Sequence, residues 1–109
     1  MKNIYIVRNH IYMFIESYGL LSLPVGTVVA KLNESTSTVL GYNDILGENF
    51  YFPSFAISNR DGHFVDPASE LEINEWYIKL YEKKISKYQD KIKEIQNKID
   101  NVKKRELTK

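Results

Sequence analysis

Cysteine is absent from this chain of 109 residues, which excludes a disulfide framework, a thiolate nucleophile and thiolate-ligated zinc. Histidine is scarce, with only His10 and His63, and no carboxylates recur beside them at metal-ligand spacing. The five glycines are scattered, so no Gly-rich loop is available to cradle a phosphate. Long apolar runs are missing too: the longest, Ile11 to Ile15, falls far short of the ~20 residues a membrane helix needs. The opening segment from Met1 to Val7 is broken by Arg8, Asn9 and His10, too short and too polar for a signal peptide. Ser54, Asp61 and His63 supply residue types of a hydrolytic site without a recognisable arrangement. The expectation is a cytoplasmic protein that does not enter membranes, holds no metal or cofactor and is not an enzyme.

What is present argues for a folded, assembling chain. A hydrophobic fraction of 43% and an aromatic fraction of 13% exclude a disordered polymer. Abundant Lys, Ile, Asn and Tyr suit an AT-rich coding genome, such as a low-GC bacterium or its phage. The net charge of +1 hides an asymmetry. From Met1 to Ser69 four cations face six acids, a net −2, whereas from Lys83 onward ten cations face four acids, a net +6. The body is mildly acidic and the tail basic.

The first part reads as β. Ile4-Tyr5-Ile6-Val7 and Ile11-Tyr12-Met13-Phe14-Ile15 are rich in strand formers, with Arg8-Asn9-His10 as a hairpin connection between them. Gly19 through Pro24 reads as a loop, Thr27 to Leu32 as a strand, Asn33 to Ser37 as a polar turn and Thr38 to Tyr42 as another strand. Phe50 to Ser58 is the most aromatic stretch, and Pro53 demotes it to an edge or a bulge. Asn59-Arg60-Asp61-Gly62 is a hairpin-type turn before His63-Phe64-Val65. The pattern predicts an α+β protein: a small antiparallel sheet or barrel of about five or six short strands over residues 1–66, then one helix over 67–106. Pro24-Val25-Gly26-Thr27-Val28-Val29, followed by short strands, resembles a segment of an SH3-like barrel.

Two signals mark the start of the helix. Asp66-Pro67 offers an N-cap acceptor before a proline at the first helical position. Ser69 with Glu72 offers a capping box instead. Beyond the start, apolar residues recur at spacings of three and four: Ile78, Tyr81, Ile85, Tyr88, Ile92, Ile95, Ile99 and Val102. This heptad period keeps a narrow seam on one side of the helix, and such a seam is buried against another helix. No second helix is readable in the chain, so the partner is another copy or a different protein. Leu71, Trp76, Tyr77 and Leu80 widen the apolar face near the base, which predicts packing on the β unit there. Trp76 reads as a core anchor, with ligand stacking as the alternative.

Isoleucine fills every a position, which suits parallel dimers, whereas Tyr81, Tyr88, Ile95 and Val102 at d pull toward higher-order or antiparallel packing. The flanking g positions after Tyr77 are Lys84, Lys91, Lys98 and Arg105, opposite e positions Gln89, Gln96 and Lys103. No g-to-e pair joins opposite charges, and an antiparallel pair would face lysine with lysine, which points to a shorter, partly offset contact or to docking against an acidic surface. These lysines read as a solvated flank, as a docking face for an acidic surface, or as a contact to nucleic-acid phosphates; Asp90, Glu94 and Asp100 interrupt the basic field.

A binding surface is expected around the aromatic stretch. Alternation places Tyr51, Pro53 and Phe55 on one side and Phe50, Phe52 and Ser54 on the other, so one side faces the core while the other meets a partner, unless both are buried. Arg60 and His63 surround the following turn, where a guanidinium near aromatics suits a phosphate or carboxylate. Tyr51, Phe52, Phe55, Arg60 and His63 are thus the expected binding residues. Three function classes remain. The first is an oligomeric, non-enzymatic binding protein that recognises a macromolecular partner. Such compact two-part, low-GC proteins resemble, in general style, phage-encoded inhibitors of host or defence proteins. The second is a sequestering protein for a small nucleotide-like ligand with pockets at subunit interfaces. The third is a nucleic-acid accessory protein using the basic helix.

Overall fold

The computed structural model describes residues 3–107. Met1, Lys2, Thr108 and Lys109, two of which enter the charge reading, lie outside the described residues. Among the described residues, seven short strands precede one long helix. These are β1 (Ile4–Val7), β2 (Ile11–Ile15), β3 (Gly19–Leu23), β4 (Val28–Lys31), β5 (Thr36–Val39), β6 (Tyr51–Pro53), β7 (Val65–Pro67) and α1 (Glu70–Leu107). A π-helical turn (Tyr42–Leu46) lies between β5 and β6, and a 3₁₀ turn (Ser54–Ile57) follows β6.

Every strand pairing is antiparallel, in two sheets: β6-β5-β4-β1-β7 and the hairpin β2-β3. The α+β class with an antiparallel sheet is therefore established, but the sheet does not close. β6 and β7 are edges, so the barrel expected from residues 24–29 does not form. The hairpin expected across Arg8-Asn9-His10 is also replaced. β1 lies between β4 and β7, and β2 takes as its partner the segment Gly19–Leu23, which reads as a loop in sequence. Likewise, Asn59 to Gly62 joins no hairpin, because β6 pairs with β5 and β7 with β1.

Three layers explain the pattern of burial. Val7, Val29, Val39 and Phe52 face the hairpin and meet Ile11, Ile15, Leu21 and Leu23. Ile6 and Val28 face the other way and meet Ile73 at the base of α1. A strand sandwiched on both faces needs no polar alternation, and so Val28 and Val29 are neighbours in sequence yet both fully buried. A third cluster packs Ile45 and Leu46 of the π-helical turn on Leu80.

Trp76 is the joint between helix and sheet. Its indole Nε1–H donates to the Leu40 carbonyl at 2.9 Å, and its ring stacks on Tyr42 at 6.5 Å. Tyr42 in turn meets Phe50 edge-on, and Phe50 touches both Phe52 and Tyr18, so aromatic contacts run from helix to hairpin loop. Gly41 allows this approach. Its φ of 79° is left-handed, and a Cβ there would sit 2.8 Å from Leu80 Cδ1.

The capping box, not the Asp-Pro pair, starts the helix. Ser69 Oγ accepts from Glu72 N–H at 3.1 Å, and Glu72 Oε1 accepts from Ser69 N–H at 3.0 Å. Pro67 instead ends β7, opposite Tyr5, on an edge strand where its missing N–H costs little. Leu71 also departs from expectation: it is 67% exposed, and Ile73 takes the place against the sheet.

Candidate functional site

Two surfaces stand out once the core is accounted for. The first is the helix seam. α1 extends about 57 Å at 1.5 Å per residue, within a molecule whose longest dimension is 69 Å. Leu80 is buried, and none from Tyr81 to Glu106 is. The eight seam residues, Ile78 through Val102, are between 43% and 66% exposed. Leu71 sits seven residues before Ile78 and continues the line of a positions by one heptad. Together these nine side chains leave on the order of 900 Å² uncovered, close to the ~800 Å² that each partner contributes to a standard interface.

The flanks of the seam carry local, solvated interactions. Lys84 Nζ lies 5.9 Å from the Tyr88 ring centroid, and Lys98 pairs with Glu94 at 3.7 Å. Contacts of this kind between exposed groups contribute little to stability. They hold two of the g-position lysines beside the apolar stripe.

The second surface lies on the hairpin side of the β unit. A cleft of about 550 Å³ runs between β2 and the segment after β6, lined by His10, Ile11, Tyr12, Met13, Phe55, Ala56, Ser58, Arg60, Asp61 and Phe64. It brings together two of the expected binding residues, Phe55 and Arg60. Phe55 is 54% exposed because the 3₁₀ turn points Ala56 and Ile57 inward and leaves it outside. Asn59 shapes the turn that carries Arg60: its Oδ1 accepts from Phe64 and Val65 N–H, and its Nδ2 donates to the Val65 carbonyl. His10 stands at the rim, with Nε2 2.8 Å from Ser22 Oγ and its ring edge-on to Tyr12.

The other expected residues do not join them. Tyr51 is exposed on β6 but lines a separate depression with Ala30, Thr38 and Asn43. Phe52 is buried at 3% and belongs to the core, so it has no face for a ligand. The alternation through residues 50–55 does hold, with Phe52 and Ser54 inside and Tyr51 and Phe55 outside. His63 sits in a polar clasp at the helix start, its Nε2 2.6 Å from Asp66 Oδ1. In the same clasp Arg8 donates from Nε to Asp66 at 2.9 Å and from Nη1 to Glu72 at 2.8 Å. The Arg8 guanidinium holds the Asp66 carboxyl below the ordinary carboxylate range. Glu72 is held down chiefly by the Ser69 backbone N–H and then by Arg8. The clasp ties the end of β1 to the first turn of α1.

The sequence reading overlooked the outer face of the hairpin. Tyr12, Phe14 and Leu20 are 65%, 75% and 56% exposed, with Phe14 directly opposite Leu20. The signal was present in Ile11-Tyr12-Met13-Phe14-Ile15. An alternating strand that is apolar on both sides has one apolar side to spare.

Among the described residues no cluster of three or more His, Cys, Asp or Glu side chains is placed to hold a metal ion. No helix among them is long and apolar enough to cross a membrane. Comparison with known protein families, with curated proteins and with solved structures returned no match to this chain.

Proposed function

We propose that this is a non-enzymatic binding protein that self-associates through the α1 seam and recognises a macromolecular partner through its β unit. The observation that carries this reading is the unpartnered stripe from Ile78 to Val102, held clear of the protein's own core. Contiguous apolar patches beyond a few hundred Å² are rare on monomers and mark association surfaces. The isoleucines at a favour a second copy of the same helix, since Ile78, Ile85, Ile92 and Ile99 form matching layers when two or more copies align in parallel. That arrangement sets Lys84 and Lys91 opposite Gln89 and Gln96 and opposes lysines only at Lys98 and Lys103, whereas antiparallel pairing would oppose lysines along the flank. The β unit then presents its aromatic surface, with Phe55 and Arg60 at its centre, to a protein target in a cytoplasmic setting. An inhibitor of a host or defence protein, of the kind phages encode, is the biological role this plan suits.

Native mass spectrometry of the untagged protein tests it. A clean multimer is expected, and a monomer at micromolar concentration would refute the self-association. The cleft itself favours a second reading. Its volume of about 550 Å³ falls in the ~300–1,000 Å³ range of small-molecule sites, and Phe55 with Arg60 suits a nucleotide-like ligand. A multimer that retains a few hundred daltons of added mass would replace the first reading with this one.

A further inference from the structure

We propose that β2 is a docking edge, and that the partner's recognised element is an extended peptide strand bearing a single acidic side chain. This rests on the reading of the β unit as a recognition module, and it names the chemistry of what is recognised.

Two observations lead there. β2 has a strand neighbour on one side only, since it pairs with β3 and with no other strand among the described residues. Alternate N–H and C=O groups of such a strand point away from its partner and can template another chain. The cleft, moreover, touches His10, Ile11, Tyr12 and Met13 in succession. Side chains alternate between the faces of a strand, so a cavity that meets three consecutive residues of β2, Ile11 to Met13, lies along the backbone edge and not over one face. An added strand satisfies that edge, and a globular metabolite does not.

The far wall supplies the selectivity. Phe55 is exposed there, and Tyr12 and Phe14 stand on the outer face of β2 itself, so apolar side chains of the incoming strand find aromatic surface. Arg60 lines the cleft without an ion-pair partner among the described residues, which suits one carboxylate. Asp61 lines the same wall and opposes a second negative charge. One carboxylate beside one guanidinium thus favours a single acidic side chain over a polyphosphate or nucleic-acid backbone.

The test is a selection of short random peptides displayed against the full-length protein. Enriched sequences should alternate apolar and polar residues and carry one Asp or Glu. In the best synthetic peptide, N-methylation at alternate backbone nitrogens should weaken binding roughly tenfold or more, and methylation at the intervening ones should not. Amide exchange should slow within residues 11–14. Arg60→Gln should weaken the acidic peptide roughly tenfold while leaving its amide counterpart unchanged. Failure to enrich any peptide, indifference to N-methylation, or protection confined to α1 would each overturn strand addition. Light scattering on the same samples separates the two ideas. A multimer that enriches no peptide sinks strand addition alone, and a monomer that binds peptide along β2 sinks the seam.

Discussion

Placing charge in the seam should dissociate the proposed assembly without unfolding the chain. Ile92 is 66% exposed and Ile99 43%, and neither touches the three core clusters. In the isolated chain, Ile92→Asp therefore costs only helix propensity and surface effects, within about 0.5 kcal/mol. In an assembly the same residue is buried, and burying an isoleucine side chain is worth about 1.5–3 kcal/mol. Two helices lose two copies, so one substitution removes about 3–6 kcal/mol, or roughly two to four decades of dissociation constant. A carboxylate forced into the layer adds desolvation on top. The double variant Ile92→Asp with Ile99→Asp should be monomeric at any workable concentration. Sedimentation velocity reads the mass, and near-ultraviolet circular dichroism from the Trp76–Tyr42 stack reads the fold. An unchanged mass with an unchanged spectrum would show that the chains meet elsewhere, and loss of the spectrum would show that the distal helix supports the core.

Three further outcomes follow from the joint between helix and sheet. Gly41→Ala should destabilise the fold by about 1–3 kcal/mol, read in urea, because a side chain is strained at φ 79° and its Cβ meets Leu80 at 2.8 Å; an unchanged midpoint would mean that the helix base can shift freely. Trp76→Phe leaves the Leu40 carbonyl without its donor and should cost about 1–3 kcal/mol by thermal or urea melting followed in the far ultraviolet; a neutral result would mean that water replaces the indole. Asp66 and Glu72 carry depressed pKa values in the fold, so the stability they add is complete above the ordinary carboxylate range and is lost as pH falls through their folded values. Amide exchange near Ser69 to Ile73 should therefore quicken in acid beyond its intrinsic pH dependence, and Arg8→Ala should flatten that response; protection that is indifferent to both changes would remove the clasp from the account.

Local signals in this sequence were legible where short-range chemistry decides the outcome. The Ser69–Glu72 capping box, the long helix beneath the apolar repeat from Ile78 to Val102, the inside-outside alternation from Phe50 to Phe55 and the joint at Trp76 each depend on residues a few positions apart or on one large side chain. Pairing between distant strands was not legible. Ile4–Val7 and Ile11–Ile15 satisfy every local rule for a hairpin, yet β1 gains two neighbours in a sheet buried on both faces by pairing with β4 and β7. That gain is tertiary and leaves no mark within the β1 segment. Gly19–Leu23 failed for the opposite reason: its glycine, serine and following proline announce a loop, and only Leu21 and Leu23 packing into the core make it a strand. The cleft depended on that same pairing. Phe55 and Arg60 were identifiable as a local aromatic and cationic pair, but the wall opposite them is β2, whose position no local pattern specifies.

The layer order bears on how the two surfaces work together. α1 packs by Ile73 on the face of the large sheet away from the hairpin, with Trp76 reaching all three clusters, while the cleft lies on the hairpin side and includes no residue of α1. Copies joined along the seam therefore need not cover one another's clefts, and each keeps its docking edge available. Linking several weak sites in this way raises overall binding to a repeated or oligomeric target by about 10²–10⁴ with no new contact. It also explains why a β unit of this size would carry so long a helix. The clasp and the Trp76 joint need only the first three turns of α1, up to Leu80. Beyond the contact of Lys83 with the Tyr42 ring, the turns up to Glu106 bury no residue, and the proposed association would give their apolar stripe a partner.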